Sequence, residues 1–359
     1  MTFNEMRRHM LKGGAALFGS LLLPKAKAWA AEDWYARGGK GFIKSQADKE
    51  RFDHYAEYEN YGHVSDTFNI WKPFEAKLYL PFLAVVKAEG LERNITGSWE
   101  YLTRHVNPWP ESQSVGDCVS HWARNASDVA RATDVYGNGD DERWDTRTAT
   151  EPIYGHRGHR GHGASCDRLA DYVTRVGGMM LRKPYPELGL DLSKYKASIG
   201  TNWGGSGVPS DVKKEGQKHQ ILKAVRVTDR DQMRNAFRNG LAVGGCSYLA
   251  FGRTRNEDGV SKVGGSWAHA MLETGYDERE ITKAKYGEPL VLVQNSWGAW
   301  NSGPRKILGT DILIPKGSAW IKESDYVKIK IDRGDCYTFV GADGWDVLRL
   351  TDFGFRAFG

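Results

Sequence analysis

The feature that most narrows the folds open to this chain is a change of character partway along it. Up to about residue 206 the patterned segments have helical spacing, and beyond it they are short, branched and aromatic. The sharpest helical segment begins at a cysteine. In QSVGDCVS, Gln113 to Ser120, Cys118 follows Gly116 and Asp117 and leads into a run where Val119, Trp122, Ala123, Ala126, Val129, Ala130 and Val135 recur mostly at three and four. That is the period of one helix face, and it predicts a helix that stops near Gly137 in the loop YGNGDDE. A second helix is predicted over 166–176, closed by Gly177 and Gly178. Pro184 and Pro186 then open an extended stretch to about Gly207. In the second half a helix over 231–239 ends at Gly240, and LAVGGCSYLAF reads as a strand. HAMLETGYD, PLVLVQNSW, AWIKESDYVKIKI and CYTFVGADGW hold further strand candidates. The class expected is α+β, with helical residues 96–206 and β residues 207–359.

At 359 residues, with 40% hydrophobic and 12% aromatic content, the chain can fill the core of one large or two ordinary domains. Its formal charge of +5 is unevenly spread. Arg7, Arg8, Lys12, Lys25 and Lys27 against Glu5 leave +4 in residues 1–30, so about +1 remains for 31–359. A body that close to neutral has no general attraction for phosphates, which excludes nucleic acid as a leading partner.

The same N-terminal residues have the anatomy of an export signal: paired arginines in MRRHMLK, an apolar run from Gly13 to Leu23, and small-residue sites near Ala28 and Ala30. They resemble a twin-arginine signal, which implies an exported, periplasmic or extracellular protein. The run is too short to span a bilayer, and nothing later reads as a membrane span. Residues 31–95 are aromatic and charged, with a helix expected from Phe74 to Glu89 that is interrupted at Pro81. They are a pro-region, a structural extension or part of the main surface. Four cysteines, Cys118, Cys166, Cys246 and Cys336, permit at most one disulfide and one buried thiol if Cys118 stays reduced, with the pairing open.

Two later stretches supply what a cysteine nucleophile needs. Cys118 at a helix start sits where backbone N–H groups and the helix dipole favour a thiolate. His269 opens the apolar strand in WAHAMLETGYD, and Asn295 follows the buried-type strand in VLVQNSWGAW. An imidazole can take the thiol proton, and an amide oxygen can hold its second nitrogen. Trp297 could cover that bond, and the Cys118 N–H with the Gln113 side chain could receive an oxyanion. No metal or organic cofactor is needed.

These three stretches resemble those of papain-like cysteine peptidases: QSVGDCVS the glutamine, glycine and cysteine block, WAHAMLETGYD the histidine strand, and QNSWGAW the asparagine and tryptophan block. The order agrees, with histidine and asparagine 151 and 177 residues downstream of the cysteine. YVTRVGGMMLRKPYP resembles the segment after the family's second helix, and DQMRNAFRNGLAVGGCSY its entry to the β domain. The resemblance implies a two-lobe fold, Cys118, His269, Asn295 and Gln113 as catalytic residues, a protein or peptide substrate, and peptide-bond hydrolysis. It leaves the oligomeric state open. The sequence departs from the pattern where Gln113 lies five rather than six residues before Cys118, where Val119 replaces an aromatic residue, and in insertions over about 277–289 and 302–316. A non-catalytic protein on the same scaffold, and another amide hydrolase or transglutaminase-like enzyme, are the alternatives.

YGHRGHRGHG places His156, His159 and His162 at every third position. Interleaved glycine and arginine argue for a flexible cationic surface loop over a metal site. Asp140–Asp141 and Asp277–Glu278 read as solvated turns. GGSGVPS near Gly204 lacks the lysine and setting of a phosphate loop.

Overall fold

The computed structural model describes residues 95–97, 111–133, 146–238 and 240–343. The export signal, the expected helix from Phe74 to Glu89 and the Asp140–Asp141 turn lie outside the described residues. In chain order the elements are β1 (Ile95–Gly97), α1 (Cys118–Ala132), α2 (Thr150–Gly155) and α3 (Cys166–Asp171), then the short pair β2 (Pro184–Tyr185) and β3 (Leu190–Asp191). There follow α4 (Ala197–Ser206), α5 (Ser210–Gly216), β4 (Gln220–Val227), α6 (Arg230–Arg238), β5 (Val243–Ser247), β6 (His269–Asp277) and α7 (Glu280–Tyr286). The chain closes with β7 (Leu290–Gln294), β8 (Ser318–Lys322), α8 (Glu323–Tyr326) and β9 (Asp335–Asp343). Helices thus dominate before residue 217 and an antiparallel sheet after it, the α+β class that the sequence predicts.

The main sheet has the order β4-β9-β5-β6-β7-β8, with β1 paired to the far end of β6. β1 runs across residue 95, where the sequence reading ends the N-terminal segment. Both faces of the sheet are covered, so its central strands are buried throughout rather than alternating with solvent. Ala270, Leu272 and Leu292 point into one core with Val119, Trp122 and Ala126 of α1. Met271, Val291 and Val293 point into the other, with Met233 and Phe237 of α6 and Tyr326 of α8. That division by odd and even residues follows from the two-residue period of a strand.

Helix α1 is the seam between the helical part and the sheet, and all fifteen of its residues are buried. Its apolar stripe explains only half of that burial. On the other side Asp128 accepts from Arg147 at 2.8 Å and from Thr148, while Arg147 also donates to Asn125 at 2.7 Å. Arg124 and Arg182 meet Glu111 at 3.1 and 2.9 Å, and Arg182 also reaches Glu151 at 2.7 Å. Buried charges persist when they are paired and hydrogen-bonded in this way.

Several local expectations are corrected. The stretch 184–207, read as extended, contains α4, and α5 follows at once; tertiary packing against α2 overrides the four weak helix formers Gly200, Thr201, Gly204 and Gly205. In AWIKESDYVKIKI the strand ends at Lys322, and residues 323–331 are helical, so VKIKI is not a strand. The second helix ends as predicted: Gly178 has φ +60° and lies so close to Gly216 O that a Cβ would come within 2.0 Å of it. Asp277, read as a solvated turn residue, is buried and accepts from Arg279 at 2.7 and 2.8 Å and from Thr282 at 2.7 Å. It anchors the first insertion, and Arg279 extends the link by donating to Leu308 O in the second.

Cys166 and Cys246 form a disulfide that ties α3 to β5, and Cys118 and Cys336 are free and buried. One bridge and one spare thiol beside Cys118 is the most the sequence allowed. Among the described residues no helix is long and apolar enough to cross a membrane.

Candidate active site

The sheet register brings His269 and Asn295 together. His269 is the first residue of β6, and Asn295 follows the last residue of β7. Because Leu272 pairs with Gln294 in antiparallel sense, both lie at the same end of the sheet. His269 Nε2 lies 2.8 Å from Asn295 Oδ1. As the amide oxygen can only accept, this fixes the proton on Nε2 and leaves Nδ1 with its lone pair. Nδ1 is buried and makes no hydrogen bond. Trp297 stacks on the imidazole with ring centres 4.6 Å apart and planes 27° apart, and Trp267 meets it edge-on at 6.3 Å. Trp300 packs against both tryptophans, at 5.5 Å from each. The three indoles lie around the buried His269 ring.

Cys118 is the first residue of α1, and its thiol is next to the same strand: the Ala270 N–H, one residue after His269, points at Sγ over 3.4 Å. The helix start is shaped by backbone bonds, with Ser120 and His121 N–H groups donating to Asp117 O at 3.0 and 3.1 Å. Cys118 and His269 are both 0% exposed, and Asn295 is 2% exposed. Burial pushes the thiol up to about 12, against the pull of the Ala270 N–H, with Asp117 adding to the rise. Burial likewise moves the imidazole down to about 4, although the bond to Asn295 opposes the shift. Burial thus disfavours the charged form of both groups.

Gln113 is half-buried and tied to the segment after Asn295: its N–H donates to Ser296 O at 2.8 Å, and Ser296 Oγ donates to its Oε1 at 2.5 Å. Its Nε2 donates to Val115 O at 2.9 Å. An amide nitrogen carries two hydrogens, and this bond uses one of them.

Around the Cys118–His269 site, Tyr195 lay outside the sequence reading, while Trp267 and His162 were quoted there without their contacts to it. Tyr195 OH donates to the buried Asp117 carboxylate at 2.7 Å and accepts from Ser114 N–H at 3.3 Å. It arrives from 81 residues away, in a stretch with no local pattern. Trp267 stood in the quoted WAHAM block, two residues before the histidine and just ahead of β6, and its indole meets the imidazole edge-on. His162 belongs to the histidine loop, which lies at the surface with Gly158, Arg160, Gly161 and His162 exposed, yet is tied down from within. Arg157 is buried and donates to four carbonyls, those of Gly161, Tyr154, Gly200 and Thr201. The three histidines do not converge: His156 packs on Tyr172 at 5.1 Å, while His162 faces Gly116. Among the described residues no group of three or more His, Cys, Asp or Glu could hold a metal.

No family model matches the sequence, and no curated protein matches it. Solved structures do. The clostridial cysteine protease Cwp84 after propeptide cleavage is 18% identical with a TM-score of 0.46, over 69% of this chain and 58% of that one. Xylellain, a cysteine protease from Xylella fastidiosa, is 14% identical with a TM-score of 0.45, over 69% and 85%. A digestive procathepsin L 3 from the larval midgut of Tenebrio molitor is 13% identical with a TM-score of 0.42, over 95% and 93%. The chain thus spans little more than half of the clostridial protease. Similarity this distant leaves the residues themselves to decide what the site does.

Proposed function

We propose that the chain is a cysteine peptidase, a distant member of the papain-like family, which hydrolyses peptide bonds through a thioester at Cys118. One observation carries the reading: the 2.8 Å bond from His269 Nε2 to Asn295 Oδ1 leaves Nδ1 as an unengaged base, while the next residue's N–H holds the Cys118 sulfur. Nδ1 takes the thiol proton as Sγ bonds to the substrate carbonyl carbon, and the oxyanion accepts from the Cys118 N–H and Gln113 Nε2. The tetrahedral intermediate collapses by breaking the C–N bond, and the imidazolium gives its proton to the departing amine. Water, deprotonated by His269, then attacks the thioester, and Sγ leaves and recovers the proton. Trp297 and Trp267 support this role by shielding the base.

Export supports the chemistry's setting. The Cys166–Cys246 disulfide fits an oxidising compartment, and the twin-arginine-like signal supplies the route. A reporter fused to residues 1–35 that stays cytoplasmic sinks this part of the reading.

The test is turnover of fluorogenic peptides by the wild type and Cys118→Ala, with labelling of Cys118 by a peptidyl epoxide read by mass spectrometry. Turnover that needs Cys118 is expected. A second reading, a non-catalytic protein on this scaffold, is favoured by the full burial of Cys118 and His269; the absence of both turnover and Cys118 labelling would support it. Cleavage of peptidoglycan fragments with peptides left intact would assign the site to another amide substrate.

A further inference from the structure

The histidine loop has a function that its sequence pattern does not announce. Gly116, two residues before Cys118, is bonded to it at both backbone groups. Its N–H donates to His162 Nδ1 at 3.2 Å, and its carbonyl accepts the Gly163 N–H at 2.9 Å. We propose that His162 is a positioning residue that clamps the nucleophile turn 113–117 through its Nδ1 and so sets the direction of the Cys118 N–H and thiol. For its catalytic part the proposal rests on the peptidase reading above.

The geometry supports a clamp rather than a chance contact. The imidazole is exposed, but the loop that presents it is not free to move away. Arg157 fixes the loop from within: Nε holds Gly161 O at 2.8 Å, the residue just before His162, while Nη1 and Nη2 hold Gly200 O and Thr201 O in α4 at 2.7 and 2.9 Å. Gly204 in α4 is a glycine because the guanidinium fills the space a Cβ would need, with Nη1 2.1 Å from where that Cβ would sit. At the loop's other end, Arg168 Nε donates to His156 O at 2.7 Å. Helices α3 and α4 therefore carry the imidazole to Gly116 as a fixed bracket.

The turn is held on its other sides by Ser296 at Gln113 and by Tyr195 at Ser114 and Asp117. At Gly116 a backbone N–H is satisfied by a side chain of the histidine loop. That acceptor can be removed without altering the chain path. It also demands the tautomer with a bare Nδ1, so the proton lies on Nε2. Both oxyanion donors, the Cys118 N–H and Gln113 Nε2, hang from this turn, and small errors in their direction are costly.

The experiment compares wild type, His162→Ala and His162→Asn, the asparagine amide oxygen standing near the position of Nδ1. Hydrogen exchange at the Gly116 amide, measured in peptides covering 112–119, should lose protection about tenfold in His162→Ala and recover in His162→Asn. Peptide turnover should show kcat lowered by about ten- to a hundredfold with KM unchanged in His162→Ala, and restored to within about threefold in His162→Asn. Wild-type exchange in His162→Ala overturns the clamp, as does a loss of kcat that asparagine does not rescue. If exchange responds as expected while no variant turns over any peptide, the clamp stands and the peptidase reading falls.

Discussion

Removing the Cys166–Cys246 bridge should cost more than any single core truncation in this protein. The bond closes a loop with a sequence separation of 80 residues. Loop-closure entropy for that length amounts to about 4.5 kcal/mol at 25 °C in the chain-entropy account. Both sulfurs lie in the fully buried core shared by α1 and the sheet, so Cys166→Ala/Cys246→Ala also leaves a small cavity. For a folded unit of this size each kcal/mol moves Tm by about 2–4 °C, so the double variant should melt about 10–15 °C lower than the oxidised protein. The assay is thermal unfolding followed by circular dichroism, for wild type, for wild type reduced in mild denaturant, and for the double variant. Alkylation under denaturing conditions with mass spectrometry should find 166 and 246 joined and Cys118 and Cys336 alkylated. A bridge to Cys118 or Cys336 refutes the pairing, and a Tm change under about 2 °C refutes the loop-entropy reasoning. Local damage should follow as well. Cys246 pairs with Ala270, whose N–H holds the Cys118 sulfur, so the variant's Cys118 should lose reactivity even where it remains folded.

Glu111 should make the protein acid-labile: burial alone would raise its carboxyl, but Arg124 and Arg182 prevail and hold it at about 2 rather than 4.5. A depressed carboxylate stabilises fully above its unfolded value, and that contribution, at most about 3 kcal/mol, drains as pH falls from about 4.5 to about 2; unfolding curves for wild type and Glu111→Gln across that window should converge at the acid end. Lys330 and Glu273 form a fully buried pair at 3.1 Å, with Tyr326 OH on the second carboxylate oxygen at 2.7 Å. Lys330→Met should cost about 3–5 kcal/mol by stranding the carboxylate, whereas Lys330→Met with Glu273→Gln should recover most of it, and additive denaturant midpoints would refute the coupling. His269→Ala should lower kcat/KM by about 10²–10⁴-fold, and a milder fall in folded protein would remove it as the base.

How much of this was legible in the sequence follows from where the information is local. The α1 helix, the β6 and β7 strands and the NSW block all carry their signal within a dozen residues, as apolar period or as a cluster of unusual types. The bond between His269 and Asn295 could be anticipated because it needs only that two strand ends meet. What stayed hidden has partners far apart in the chain. Asp277 looks like a turn residue until Arg279 and the second insertion bury it, and Arg157 looks like loop charge until four carbonyls surround it. Burial of a charged side chain depends on its partners being delivered by the fold, and neither hydropathy nor spacing records that. The helix Ala197–Ser206 shows the same limit from the other side, since its four glycine and threonine residues disfavour a helix that packing nevertheless stabilises.

The electrostatics of the closed site bear directly on how it would be switched on. Burial acts on Cys118 and His269 in opposite senses, up to about 12 for the thiol and down to about 4 for the imidazole, and so opposes charge on both. The helix start and the Ala270 N–H favour the thiolate, and Asn295 favours the imidazolium, yet none of them outweighs desolvation here. A substrate carbonyl changes the balance because the negative charge then moves onto an oxygen that two prepared donors can meet, rather than resting on sulfur. On this argument the groups that aim those donors, Ser296 at Gln113 and His162 at Gly116, matter to the rate as much as the base does. Exchanging them should alter kcat without altering the acidity of the free thiol. A Cys118 titration, followed by thiolate absorbance, that shifts in His162→Ala would contradict it.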